Sequence, residues 1–269
     1  MIRTFDLLNS EGQAYTLTIS HRYTGFLTTA EGLGFENSPE YVRIGNSYER
    51  LTDNLNQGVI SGIVQFFNPY AYQKFSAFAE FCQDKNLTLL YRTPTGLFKK
   101  DGAVTKIEKS EGDDSLKVKI EFTATSLWYQ EIEVDVEGSE LTIVSDSAIE
   151  SPCILSLITY WSGVTGISWM QTVNGTTVVN GSLSDISLTA GRGVVIRTDT
   201  NPYKIYMIPG EYSLYNKSNF GTKRFPFLQK GTNTFTFSIT PAPPAPEPPD
   251  PAPLIGRMNL KAFINYETI

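Results

Sequence analysis

The spacing of apolar and polar residues changes several times along this chain, and each change marks an element. Near the start, Tyr15, Leu17 and Ile19 alternate with Thr16, Thr18 and Ser20. That two-residue period predicts a strand with one buried face. Residues 31–51, EGLGFENSPEYVRIGNSYERL, are interrupted by Gly32, Gly34, Pro39 and Gly45, which predicts a long loop or a hairpin. Strand signal returns over residues 58–67, GVISGIVQFF. One helical period follows. Tyr72, Phe75, Phe78, Ala79 and Cys82 fall on one face. Asn68 supplies an N-cap side chain, Pro69 suits the first turn, and Lys85 and Asn86 suit the C-terminal end. The predicted helix spans about residues 69–85.

Beyond the helix the period returns to two. Residues 87–91 form a mostly apolar run, as in a central strand, and Val104 to Lys109 alternates. Lys100-Asp101-Gly102 and residues 111–114 read as turns. Leu116, Val118, Ile120 and Phe122 then alternate with Lys117, Lys119 and Glu121. This pattern predicts an N-terminal α+β domain over residues 1–135, a sheet with one covering helix. From residue 141 onward no useful helical period appears. Short strands are separated by Ser162-Gly163, Asn174-Gly175, Asn180-Gly181, Gly191-Arg192-Gly193, Pro209-Gly210 and Lys230-Gly231. Such spacing predicts a sandwich or barrel over residues 136–240, with Leu183, Ile186, Leu188 and Val194 to Ile196 in its core. The fold class is therefore mainly β.

Residues 241–253, PAPPAPEPPDPAP, favour an extended polyproline spacer spanning roughly 40 Å at ~3.1 Å per residue. The same composition suits a ligand for an aromatic groove. In residues 254–269, Leu260, Ala262, Ile264 and Tyr266 alternate with Lys261, Asn265 and Glu267. This strand-like tail is too short to bury its own face. It is expected to pair with a neighbouring copy or another protein by strand addition.

Composition narrows the function. The 269 residues carry a net charge of −6, which argues against nucleic-acid binding. The basic pairs Lys99-Lys100 and Lys223-Arg224 are too short to make a groove. No run of about eighteen apolar residues predicts a membrane span, and the N-terminus lacks the apolar region of a signal peptide. Cys82 and Cys153 lie in separate apolar stretches and read as buried unpaired thiols, with a single disulfide the alternative.

The candidate chemistry is thin. His21 is the only histidine, too little for a zinc site with two distant cysteines. No nucleophile elbow occurs, and no helix follows Gly191-Arg192-Gly193 to receive a phosphate. Glu131, Glu133, Asp135 and Glu137 place four carboxylates on one strand face. They make either a cation clamp or a solvated strand or interdomain face, and the row lacks the turn that gathers oxygens around calcium. Tyr160, Trp161 and Trp169 either stack on a sugar ring or fill the core. No catalytic, cofactor-binding or metal residue is assigned. The pattern predicts a protein that works by shape and not an enzyme.

Several segments resemble the distal tail protein of long-tailed bacteriophages with non-contractile tails. They are the aromatic helix after GVISGIVQFF, then LLYRTPTGLFKKDGAVTKIEKSEG and IEFTATSLWY, then IRTDTNPYKIYMI and NKSNFGTKRFPFLQKGTNTFTFS. The resemblance implies a virion protein at the distal end of the tail, built as a homohexameric ring. It implies a galectin-like β-sandwich as the second domain. Its implied partners are the tail tube protein, the tail-tip or tail-associated lysin protein, and a receptor-binding or baseplate protein. It implies no cofactor. Galectins hold sugar through a His-Asn-Arg set and a Trp, and the second domain here has no histidine. The alternatives are a carbohydrate-binding module that assists host adhesion and, behind it, a wall hydrolase.

Overall fold

Seen in the computed structural model, the alternating segments become strands in two separate units, Met1–Gln130 with Tyr266–Ile269, and Glu131–Asn265. The structure describes residues 4–18, 24–34, 37–44, 46–55, 58–112, 115–222, 224–241 and 255–267. His21 and most of the proline-rich spacer lie outside the described residues.

The first unit contains β1 (Thr4–Leu8), β2 (Ala14–Thr16), β3 (Phe26–Glu31), β4 (Asn37–Ile44), β5 (Ser47–Leu55), β6 (Val59–Phe67), α1 (Ala71–Phe81), β7 (Leu87–Thr93), β8 (Gly96–Glu111) and β9 (Ser115–Ala124). Its main sheet runs β2-β1-β7-β8-β9-β6-β3, antiparallel throughout. The sheet curls until its ends meet. Leu17 N–H donates to Phe5 O at 2.9 Å, and Leu27 N–H donates to Leu17 O at 3.2 Å. Leu7, Leu17, Leu27, Ile60, Leu89, Ile120 and Phe122 converge inside. One strand face is thus buried along the whole sheet, as the alternation requires.

The helix covers this core with Ala71, Phe78 and Cys82, and Phe78 meets the rings of Phe66 and Tyr15 at 5.6 and 5.2 Å. It is shorter than the sequence predicts. Tyr70, with φ 72°, takes the N-cap position, and no side chain caps the helix. Asn68 therefore does not cap. At the other end, Gln83 N–H turns back to Glu80 O at 3.1 Å. Asp84 fixes the exit. Its carboxylate accepts from Ser10 Oγ at 2.6 Å, Ser10 N at 2.8 Å and Asn86 N at 2.9 Å. The Ser10 hydroxyl, ahead of the backbone donors, holds that carboxyl below its usual range. Tyr72, expected on the buried face, is exposed and lies under Lys109, whose Nζ is 5.3 Å from the ring centroid.

The expected turn at Lys100-Asp101-Gly102 is also corrected. These residues sit inside β8, paired with Leu87, Thr88 and Leu89 of β7. The chain instead reverses between Thr93 and Gly96. Gly102 is small because a Cβ there would come 2.3 Å from Thr123 O and 2.7 Å from the Phe122 ring. Lys100 is buried, with its Nζ 5.1 Å over the Trp128 ring. Desolvation holds its pKa below the ordinary lysine value.

The second unit draws on β10 (Trp128–Glu137), β11 (Glu140–Ser145), β12 (Cys153–Thr159), β13 (Val164–Val173), β14 (Thr176–Leu183), β15 (Gly193–Arg197), β16 (Lys204–Ile208), β17 (Tyr212–Ser213), β18 (Ser218–Phe220), β19 (Gly231–Pro241) and β20 (Gly256–Tyr266). One sheet runs β17-β16-β15-β12-β20-β10, and a five-stranded sheet runs β11-β19-β13-β14-β18. Leu155, Leu157, Val194, Ile196, Met258 and Leu260 are buried on the first. Leu141, Ile167, Trp169, Phe235 and Phe237 are buried on the second. The sheets face each other where Gly256 approaches the Phe237 ring.

Asn180-Gly181, expected as a turn, lies within β14. Gly181 leaves room for the Trp169 indole, which a Cβ would approach to 2.4 Å. The tail differs most from expectation. Residues 256–262 pair with Cys153–Thr159 of β12, and β10 flanks the other side. The tail completes its own chain, so no neighbouring copy is needed to bury its face.

Both cysteines are free and buried. Desolvation pushes each thiol up to about 12. At pH 8 that leaves roughly a thousandfold less thiolate than an ordinary cysteine has. A disulfide-exchange reagent should therefore leave both thiols unmodified in the native protein and label both in denaturant. Rapid native labelling of either would contradict this packing.

Candidate assembly surfaces

Three of the four carboxylates of β10 are matched by β20 beside them. Arg257 donates through Nε and Nη2 to Asp135, Asn259 Nδ2 donates to Glu133 at 2.8 Å, and Lys261 pairs with Glu131. Tyr160 Oη donates to Glu137 at 3.5 Å. The hydrogen bond from Arg257 holds the Asp135 carboxyl below its usual range. The row is thus a solvated face, with Glu133, Asp135 and Glu137 exposed, and two ion pairs and a hydrogen bond tie it to β20. These pairs are partly exposed and fix register more than they add stability. Among the described residues, no three His, Cys, Asp or Glu side chains converge as a metal would require.

Of the aromatic residues considered for sugar stacking, Trp169 is 3% exposed and packs edge-on to Phe220 at 5.5 Å. It belongs to the core. Tyr160 is exposed, and Trp161 is half-buried at the turn that follows β12.

The segments that carry the family resemblance in the second unit hold loops in place. Thr198 Oγ1 accepts from Cys153 N at 2.8 Å and lies 3.1 Å from Pro226 O. Arg197 makes a two-pronged pair with Asp199, at 2.9 and 2.6 Å. Buried Asn233 donates to Gln229 O at 2.7 Å and to Gly231 O at 3.0 Å, and it accepts from Gln171 Nε2 at 3.0 Å. Thr198 and Asn233 thereby satisfy backbone groups at strand ends and in the adjoining loops.

Three other features face outward. The first is the arm formed by β4 and β5, which pair only with each other among the described residues. A lone hairpin is marginal in water unless something packs on it. This one exposes Val42 (38%) and Ile44 (51%) near its tip. The sequence left this region open between a loop and a hairpin, because Pro39 and the glycines hid the strand alternation.

The second feature surrounds the start of α1. Phe67, Tyr70 and Tyr72 are all exposed within six residues of chain. Tyr70, the most exposed at 67%, also holds the left-handed backbone that a non-glycine residue seldom adopts. Exposed aromatics on a constrained backbone are the usual anchors of protein interfaces.

The third feature is a tyrosine patch on the second unit. Tyr203 lies 5.3 Å from Phe225 and 5.4 Å from Phe227, and Tyr215 stacks on Phe225 at 6.1 Å. Both tyrosines are exposed, while Phe220 links the cluster to Trp169 beneath. Only the first of these features had a signal in sequence, as a long loop or a hairpin.

Residues 4–125 match the family model of the distal tail protein, N-terminal domain. The motifs quoted above within that span therefore carry a true resemblance. No curated protein sequence matches the chain. Among solved structures, a chain of the phage p2 baseplate in its activated conformation with Sr is similar with a TM-score of 0.63 and 13% identity, over 100% of both chains. The corresponding p2 baseplate with Ca gives 0.64 at 13% identity, again over 100% of both. The Dit protein of phage SPP1, described as a paradigm of hub adsorption apparatus in phages infecting Gram-positive bacteria, gives 0.66 at 11% identity. That match covers 96% of this chain and 98% of the other. At such identities the structural likeness shows the fold, which is mainly β as the sequence predicts.

Proposed function

We propose that this chain, whose residues 4–125 match the distal tail protein N-terminal domain, is a structural hub at the distal end of a phage tail. In this reading its copies close into a six-membered ring through the first unit. The ring joins the tail tube on one side to a tail-tip protein on the other. The second unit stands as the peripheral, galectin-like sandwich and takes a receptor-binding or baseplate protein.

The β4–β5 arm carries the ring reading. A hairpin that pairs only with itself and shows apolar residues near its tip suits a heterologous contact, in which one copy's arm seats on the next. Such contacts close into a ring when the rotation between copies permits. The aromatic residues at the start of α1 offer a second surface for the same assembly. The p2 and SPP1 likenesses support the reading as proteins of the same fold drawn from a baseplate and a hub apparatus.

Val42→Asp together with Ile44→Asp tests it. Both side chains are exposed, so the melting temperature of the single chain should stay within a few degrees. Light scattering should show the ring replaced by smaller species. Intact rings in the double variant would remove the arm from the interface.

A further inference from the structure

The two outer faces of the second unit differ in kind. One carries the ion pairs of β10 and β20. On the five-stranded sheet, the strands β11, β13, β14, β18 and β19 contain a single ionisable side chain, Glu140. Solvent faces of sheets ordinarily carry charges, which keep them soluble and unpaired. Here the outward positions hold mostly hydroxyls and amides, with Met170 and Val144 the large apolar side chains exposed among them. Ser168 and Ser238 sit 2.7 Å apart across β13 and β19, and Thr142 and Thr234 sit 3.1 Å apart across β11 and β19.

The first of these pairs floors a groove of about 570 Å³, lined by Ser168, Met170, Asn180, Ser182, Thr236 and Ser238 among others. Its size lies within the range of small-ligand sites, ~300–1,000 Å³. No lining residue is charged. An anion would find no cation there. A protein partner would find only one exposed apolar anchor, Met170, and no exposed aromatic. Serine and threonine hydroxyls both donate and accept, and asparagine offers both groups side by side. That set matches the vicinal hydroxyls of an uncharged sugar, and the Met170 thioether offers contact to its C–H face.

We infer that this groove binds a short segment of a neutral oligosaccharide. The site uses neither Tyr160 nor Trp161, and it does not depend on the ring. Its failure and the failure of the hub reading are separate events.

The test titrates the purified full-length chain by calorimetry with maltohexaose, cellohexaose and chitohexaose, against a hexamer of galacturonic acid as the anionic control. At least one neutral probe should bind with a Kd of about 1 mM or tighter. Asn180→Glu with Ser238→Glu should weaken that binding at least ~10-fold, because two like charges cannot pair with each other and stay uncompensated against a neutral ligand. Asn180→Ala, which adds no charge, should weaken it about 3- to 10-fold. Melting curves establish that each variant is folded. The inference is overturned if no neutral probe binds, if the anionic hexamer binds as well as the best neutral one, or if folded variants bind unchanged.

Discussion

A chain ending at Pro241 fails to fold its second unit. β20 lies between β12 and β10 and buries Met258, Leu260, Ala262 and Ile264. Burying a large apolar side chain contributes about 1.5–3 kcal/mol, so Met258, Leu260 and Ile264 alone approach the ~5–15 kcal/mol by which a domain is stable. Truncation also exposes the backbone of β12 along its whole paired length. It leaves Asp135 and Glu131 without Arg257 and Lys261. The expected result is loss of the cooperative transition of the second unit in calorimetry, with rapid proteolysis after Glu131. Residues 255–267, added as a peptide, should restore protection by strand complementation. A truncated protein that melts like the full chain would show that β20 is dispensable.

The second large effect is expected in the first unit. Trp128 is 0% exposed, and its Nε1 donates to Leu33 O at 3.0 Å. Its ring meets Tyr91 at 5.9 Å and lies under the Lys100 ammonium. Trp128→Ala removes the packing, about 3–5 kcal/mol, and leaves a carbonyl and a buried cation without their partner. The transition of this unit should fall by roughly 10–20 °C. Trp128→Phe, which keeps an aromatic face but no N–H, should lose about half as much. A fall of less than about 3 °C on Trp128→Ala would mean that the site collapses around the smaller side chain.

The sequence makes the strands legible wherever one face is buried and the other wet. Leu116, Val118, Ile120 and Phe122 are buried as their alternation predicts. Glycine misleads. Gly102 and Gly181 read as turns, yet each sits inside a strand beside a ring that needs its space. Nothing local distinguishes a glycine that bends the chain from one that admits a neighbour, because the neighbour is distant in sequence. The helix shows the same limit. Asn68-Pro69 carries the chemistry of a helix start, but the cap falls on Tyr70.

The tail makes the point at larger scale. Its alternation is plain, but its partner β12 lies about a hundred residues earlier. The same holds for the carboxylates of β10, whose cations arrive from β20. The sparsely charged face of the five-stranded sheet is divided among five separate segments. Each looks ordinary alone, and only the register brings Ser168, Ser182 and Ser238 into one row.

The hub reading is tested most directly by the mass of the purified chain in solution, followed by electron microscopy of the same sample. The account predicts a closed ring with the mass of six chains, reached by the chain alone or on adding tail-tube or tail-tip protein. A single-chain mass at every concentration and with every such partner would contradict it.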